Sequence, residues 1–220
     1  MPMTIAVDAM GGDYAPKEVV QGAVFAARED ADAFIVLVGD EATIKAELES
    51  YGDAPPNLSV RHAAETIAMD EHPVQAMRRK RQSSLVIAGQ MVSSGEADAT
   101  FSAGNTGAAM AIATFDIGRI RGVDRPAIAA TLPTLKGRAL LLDAGANVDC
   151  SARNLLQFGL LGSIYAEKVL KRTRPTIGLL NIGSEAGKGN DLTKLAYDLF
   201  QSSGLNFQGN VEGKDVFEGA

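Results

Sequence analysis

Four stretches of this sequence gather glycine with small polar and acidic residues: Asp8–Pro16 (DAMGGDYAP), Ser102–Ala108 (SAGNTGA), Asp143–Asp149 (DAGANVD) and Asn181–Asp191 (NIGSEAGKGND). Such stretches can bind anions through the main chain. Glycine lets backbone approach a ligand closely, and the first N–H groups of a following helix are unpaired donors at the positive end of its dipole. The chemistry implied is a pocket for an oxyanion, with phosphate the natural candidate. Gly11, Gly12, Gly104, Gly187 and Gly189 would supply its amides, with Ser102 beside them. Lys188 stands between Gly187 and Gly189, where it would act on a bound phosphate as a point charge. Asn105 follows Ser-Ala-Gly at a position that suits a helix N-cap, and an N-cap amide can also face a ligand. Asn147 and Asn181 are further candidate contacts, with loop turns as their alternative use.

Other chemistries fit less well. A P-loop needs G-x-x-x-x-G-K-[ST], but Gly183 is one residue too close to Gly187, and Gly189 follows Lys188. A dinucleotide fingerprint fails too: the first loop has Gly11–Gly12 between Asp8 and Asp13, and Leu192 stands where a pattern begun at Gly187 needs its third glycine. Asp40 could mimic a ribose-binding acid, but it also suits a helix start. With only His62 and His72, no H-E-x-x-H and no cysteine pair, no metal or cofactor is expected. His72 precedes Pro73, a plausible first helical residue. Asp8, Asp143 and Asp191 could hold magnesium, although acids at strand ends and helix starts are common structural choices. Nothing near Cys150 in sequence would activate it as a nucleophile. Arg78, Arg79, Lys80 and Arg81 form the one dense basic run, either a solvated helix face or a docking patch for an acidic partner.

Elements of alternating type must carry these loops. Strands are predicted at Thr4–Asp8, Phe34–Val38, Asn57–Val60, Ala99–Phe101, Ala127–Thr131, Arg138–Leu142 and Thr176–Leu180, with another beginning at Asn206–Phe207. Helices are predicted at Lys17–Asp30, Glu41–Ser50, Leu85–Ser94, Asn105–Ile117, Leu155–Leu170 and Asp191–Ser202. A turn at Pro133–Gly137 would join two of the strands. Each glycine-rich stretch thus follows a strand and precedes a helix. The alternation implies a mainly parallel sheet with helices on both faces, and loops at the carboxyl ends of its strands share one edge.

The 220 residues carry 21 Lys and Arg against 27 Asp and Glu, a net charge of −6, which argues against a nucleic-acid partner. Hydrophobic residues at 46% and charged residues at 22% exclude a disordered chain. A single cysteine fits a reducing compartment. The longest uncharged run, Ala99 to Phe115, holds two glycines with Ser102 and Asn105 and is a poor membrane span, and the first basic residue is Lys17. A cytoplasmic protein is expected.

Taken in order, DAMGGD (8–13), EHPVQAMRRKRQSSL (71–85), SAGNTGA (102–108), RPAIA (125–129), LDAGAN (142–147), GLLNIGSEAGKGN (178–190) and NVEGKD (210–215) resemble the bacterial phosphate acyltransferase family from Thr4 onward. The resemblance implies conversion of fatty acyl–acyl carrier protein (ACP) and inorganic phosphate to acyl phosphate, for phospholipid synthesis. It implies a three-layer α/β/α sandwich similar to phosphotransacetylases and to isocitrate and isopropylmalate dehydrogenases. One α/β domain would cover residues 1–220, without the C-terminal part of the family fold. A homodimer that can associate peripherally with the membrane is also implied. On this reading the glycine loops, Lys188 and Ser102 bind phosphate and Asn105 stabilises the oxyanion. Asn147, Asn181 and Glu185 are second-choice site residues, and the run Arg78, Arg79, Lys80, Arg81 docks ACP. The alternatives are a nicotinamide-dependent dehydrogenase on a related fold and a non-catalytic phosphate-binding module.

Overall fold

Residues 3–219 are described in the computed structural model, and the chain divides into two units, one up to Arg121 and one from Gly122. The first is built on β1 (Met3–Asp8), β2 (Ala33–Gly39), β3 (Leu58–His62) and β4 (Ala99–Phe101). They form one all-parallel sheet in the order β3-β2-β1-β4. Parallel strands joined by helical crossovers are covered on both faces. Alternate side chains achieve this. Val7, Ile35 and Leu37 cluster with Val20 and Val24 of α1 (Lys17–Glu29) and Ile44 of α2 (Glu41–Glu49). Their neighbours Ala6, Val36 and Val38 cluster with Ala88 and Met91, beyond α3 (Pro73–Arg79), in α4 (Ser84–Ser94). Helix, sheet and helix make three layers. Full burial of each such aliphatic side chain contributes about 1.5–3 kcal/mol.

α5 (Thr106–Ile112) is seated by close approach. A Cβ on Gly107 would lie 2.5 Å from Cγ of Pro73, the first residue of α3. The sequence predicts one helix to Ile117. The α-helix instead ends at Ile112, and Ala113–Ile117 form a π-helical turn closed by Gly118 N donating to Ala113 O at 3.0 Å. Arg81 fastens this turn through Asp116, 3.0 Å away.

In the second unit β5 (Ala129–Thr134) and β6 (Gly137–Leu142) form an antiparallel hairpin. Thr134 pairs with Gly137, so Leu135 and Lys136 alone make the turn. Pro133, expected in the turn, lies inside β5 opposite Arg138. A proline is tolerated there because, among the described residues, β5 pairs with β6 alone. α6 (Ala152–Lys168) starts with a capping box between Ser151 and Asn154. β7 (Ile177–Leu180), α7 (Asp191–Ser202) and β8 (Phe207–Val211) follow, with β8 parallel to β7. Phe200 stacks on Phe207 with centroids 5.0 Å apart, over Leu179 and Ala196. α3 begins at Pro73, the helix entry expected there, and the short helix α8 (Gly213–Glu218) is an addition to the predicted elements. The fold is mixed α/β with a mainly parallel sheet, as expected.

Candidate functional site

In the first unit β1 and β4 are adjacent, so the loops leaving their carboxyl ends meet. Asp8, the last residue of β1, is only 2% exposed. Its Oδ1 accepts from Met10 N at 3.2 Å, and its Oδ2 accepts from Ser102 Oγ at 2.7 Å. Ser102 Oγ in turn accepts from Gly104 N at 3.0 Å. Gly11 lies against this chain of bonds. A Cβ there would stand 2.4 Å from Asp8 Oδ2 and 2.9 Å from both Ser102 Oγ and Gly104 N, so only glycine fits. Gly12 faces Ala103. Gly11, Gly12, Ser102 and Gly104 are therefore neighbours. The residue that joins them, Asp8, was legible as a possible magnesium ligand or an acid at a strand end, not as the partner of Ser102.

Asn105 caps α5, its Oδ1 accepting from Ala108 N at 3.0 Å. Its Nδ2 donates to the carbonyls of Ala68, Met69 and Glu71 at 3.1, 3.2 and 3.1 Å. The amide hydrogens are thus engaged in fastening residues 68–71, and the side chain sets the start of α5 beside Gly104. Lys80 holds the same segment by donating to Thr66 O at 2.7 Å and to the Glu71 carboxylate. That hydrogen bond, with another from Ala68 N, keeps the Glu71 carboxyl below its ordinary range. Of the four basic residues, Lys80 and Arg81 are occupied within the fold. Arg78 and Arg79 are exposed on the last turn of α3, beyond the buried Ala76 and Met77.

In the second unit Asp143 organises its own loop. Its carboxylate accepts from Ile128 N at 2.8 Å, Asn147 N at 2.6 Å and Asn147 Nδ2 at 3.2 Å. Burial raises its pKa, but these donors and the Ala146 N–H outweigh burial and hold it below the usual carboxylate range. Asn147 Nδ2 also donates to Pro126 O at 2.9 Å, so its amide shapes the loop. Burial, with Asp143 and Asp149 nearby, pushes the Cys150 thiol up despite Arg125. A raised thiol is a poor nucleophile at neutral pH.

The fourth loop is closed from within. Asn181 Nδ2 donates to Lys188 O at 3.0 Å, and Asn210 Nδ2 donates to Glu185 O at 2.8 Å. Asn210 escaped the residue-level reading; its only signal was the NVEGKD stretch. Asn190 caps α7 through Thr193 N. Gly187 has open space around it, whereas a Cβ on Gly189 would stand 2.6 Å from Asn181 Oδ1. The Lys188 side chain is half-exposed, and its Nζ lies 4.0 Å from Glu185 Oε1, a loose pair. A cavity of about 770 Å³ in this unit is bordered by Asp143 and Asn147 of the third loop and Thr193 of α7. Among the described residues, no cluster of three or more His, Cys, Asp or Glu side chains could hold a metal ion. No helix among them is long and apolar enough to cross a membrane.

The family model described as "Fatty acid synthesis protein" matches residues 3–220. The chain belongs to this family. Its relatives in the family include a phosphate acyltransferase of Pelotomaculum thermopropionicum, 55% identical over 99% of this chain and 63% of that protein. The phosphate acyltransferase of Desulforamulus reducens is 54% identical over 98% of this chain and 64% of its own length. The chain thus spans just under two thirds of these relatives. Among solved structures, a phosphotransacetylase from Streptococcus pyogenes matches with a TM-score of 0.70 at 17% identity, over 96% of this chain and 68% of that one. A phosphotransacetylase from Staphylococcus aureus gives 0.69 at 17% identity, with the same coverage. These two likenesses establish the fold.

Proposed function

We propose that this chain works in a phosphate acyltransferase that converts fatty acyl-ACP and inorganic phosphate to acyl phosphate and free ACP, supplying phospholipid synthesis. The observation that carries this reading is identity above one half, over nearly the whole chain, to proteins named phosphate acyltransferase. The geometry is compatible with it. A phosphate oxygen attacks the thioester carbon, the C–O bond forms, the C–S bond breaks, and the thiolate leaves and takes a proton from solvent. A thiol of pKa about 8.5 leaves without strong acid assistance. The demands on the protein are therefore to hold phosphate at the carbonyl and to stabilise the oxyanion.

On this reading the loops at Gly11–Gly12 and Ser102–Gly104 and the Gly187–Gly189 loop with Lys188 handle phosphate, and main-chain amides serve the oxyanion. Asn105, Asn147, Asn181 and Glu185 hold these loops in shape. Arg78 and Arg79 are the part of the basic run available to acidic ACP. Dimerisation, a cytoplasmic location and peripheral membrane association belong to the same proposal. The test is phosphate-dependent thiol release from acyl-ACP, measured on this chain and on a version extended to the relatives' length. Lys188→Ala should lower turnover on the order of tenfold or more at subsaturating phosphate, through loss of a charged contact. Thiol release independent of phosphate, or a stoichiometric acyl-enzyme formed without it, would overturn direct transfer.

A further inference from the structure

Resting on the reading of Ser102 as a phosphate contact, we propose that Asp8 and Ser102 select an anion that carries its own proton, admitting phosphate and rejecting sulfate. A serine hydroxyl has one hydrogen and two acceptor sites. The hydrogen of Ser102 is given to Asp8 Oδ2 at 2.7 Å, and one acceptor site takes the Gly104 N–H at 3.0 Å. What the half-buried Ser102 has left to offer outward is a lone pair.

The hydroxyl is held in that state. Both Asp8 oxygens accept, Oδ2 from Ser102 and Oδ1 from Met10 N, and the side chain is only 2% exposed. No Lys or Arg is paired with it among the described residues. Turning the Ser102 hydrogen away would strip a buried acid of one of its two donors, the costly direction. Gly11 lies directly against the bond, where any added Cβ would meet both Asp8 Oδ2 and Ser102 Oγ.

A lone pair attracts a P–O–H group and repels a bare oxyanion. Monohydrogen and dihydrogen phosphate both bring a P–O–H; sulfate and fluorophosphate dianions have phosphate's shape without it. Sites built around one hydrogen bond reject analogues lacking it because a buried polar group is left unpaired. For a bond to a charged group the discrimination is on the order of 10- to 100-fold.

The experiment is calorimetric titration of the chain, at mildly alkaline pH, with inorganic phosphate, sulfate and fluorophosphate separately. Phosphate should bind tighter than either analogue by that factor. Asp8→Asn can donate to Ser102 and release its hydrogen outward, so sulfate binding should rise and the preference collapse. Ser102→Ala removes the lone pair and frees the Gly104 N–H for any oxyanion. It should also collapse the preference, while leaving Asp8 a carboxyl with Met10 N as its donor. Phosphate binding without discrimination, or discrimination surviving in both variants, would overturn the proposal while leaving the phosphate site standing. Absence of phosphate binding would overturn both together.

Discussion

Replacing Gly11 with alanine tests the junction of the first two loops most directly. The added Cβ would stand 2.4 Å from Asp8 Oδ2 and 2.9 Å from Ser102 Oγ and Gly104 N. Two of these atoms end short side chains bonded to each other, and the third is main chain, so none can swing aside. Overpacking of this kind costs about 1–3 kcal/mol. Displacing Asp8 from Ser102 adds roughly 1.5–3 kcal/mol for a hydrogen bond to a charged group. The two are coupled, so a total of about 2–4 kcal/mol is expected. Gly22 provides the opposite case: it is on the exposed face of α1, and a Cβ there meets nothing within 4 Å. Gly22→Ala should therefore stabilise by about 0.5–1 kcal/mol through helix propensity. Hydrogen exchange in peptides from β1 and β2 reports on the first unit by itself. Global exchange there should accelerate about 30- to 1,000-fold in Gly11→Ala and slow a few-fold in Gly22→Ala. Unchanged protection of β1 in Gly11→Ala would refute the close approach and the hydrogen-bonded junction with it.

Asn105→Ala should remove a cap worth about 1 kcal/mol and leave three carbonyls without their donor. Limited proteolysis should then cut residues 66–72 sooner; equal resistance would show that the segment is held by Lys80 alone. Asp143 has a depressed pKa, so its stabilising contribution is complete above the unfolded value near 3.9 and is lost as pH falls through the lower folded value. Melting temperatures measured from neutral to acid pH should fall less steeply below about pH 4 in Asp143→Asn than in the parent. Cys150 should react slowly with a disulfide reagent at neutral pH and faster only as pH rises beyond the ordinary thiol range. Cys150→Ser should retain phosphate-dependent turnover, and loss of turnover would reopen covalent catalysis.

The strands and long helices were legible because burial imposed a period that local sequence repeats. In β1 and β2 the buried residues belong to two alternating sets, one for each helical layer, and the sequence shows continuous apolar runs. The misses came where a few long-range contacts outweighed pattern. Pro133 signals a turn, yet pairing with β6 alone, among the described residues, lets it stay in β5. Ala113–Ile117 carry helical residues, yet the chain widens into a π turn where Asp116 is tied to Arg81. α8 spans six residues, too short for a hydrophobic period to show.

The candidate site divides along the same physical line. Glycine reports a backbone requirement that is local, so the four loops were visible from composition. A polar side chain reports only that it will find a partner, and three asparagines chosen as ligand contacts found theirs inside the protein. Asn105 holds residues 68–71, Asn147 holds Asp143 and Pro126, and Asn181 holds the carbonyl of Lys188. A side-chain amide bonded to main chain fixes a loop at little entropic cost once folded, but has few hydrogens left for a substrate. On the proposed reading, anion recognition would fall to main-chain N–H groups that such clamps hold in place and, in the first unit, to the lone pair of Ser102. Donors held in advance need no reorganisation when charge develops on a reacting oxygen, which is what acyl transfer to phosphate demands.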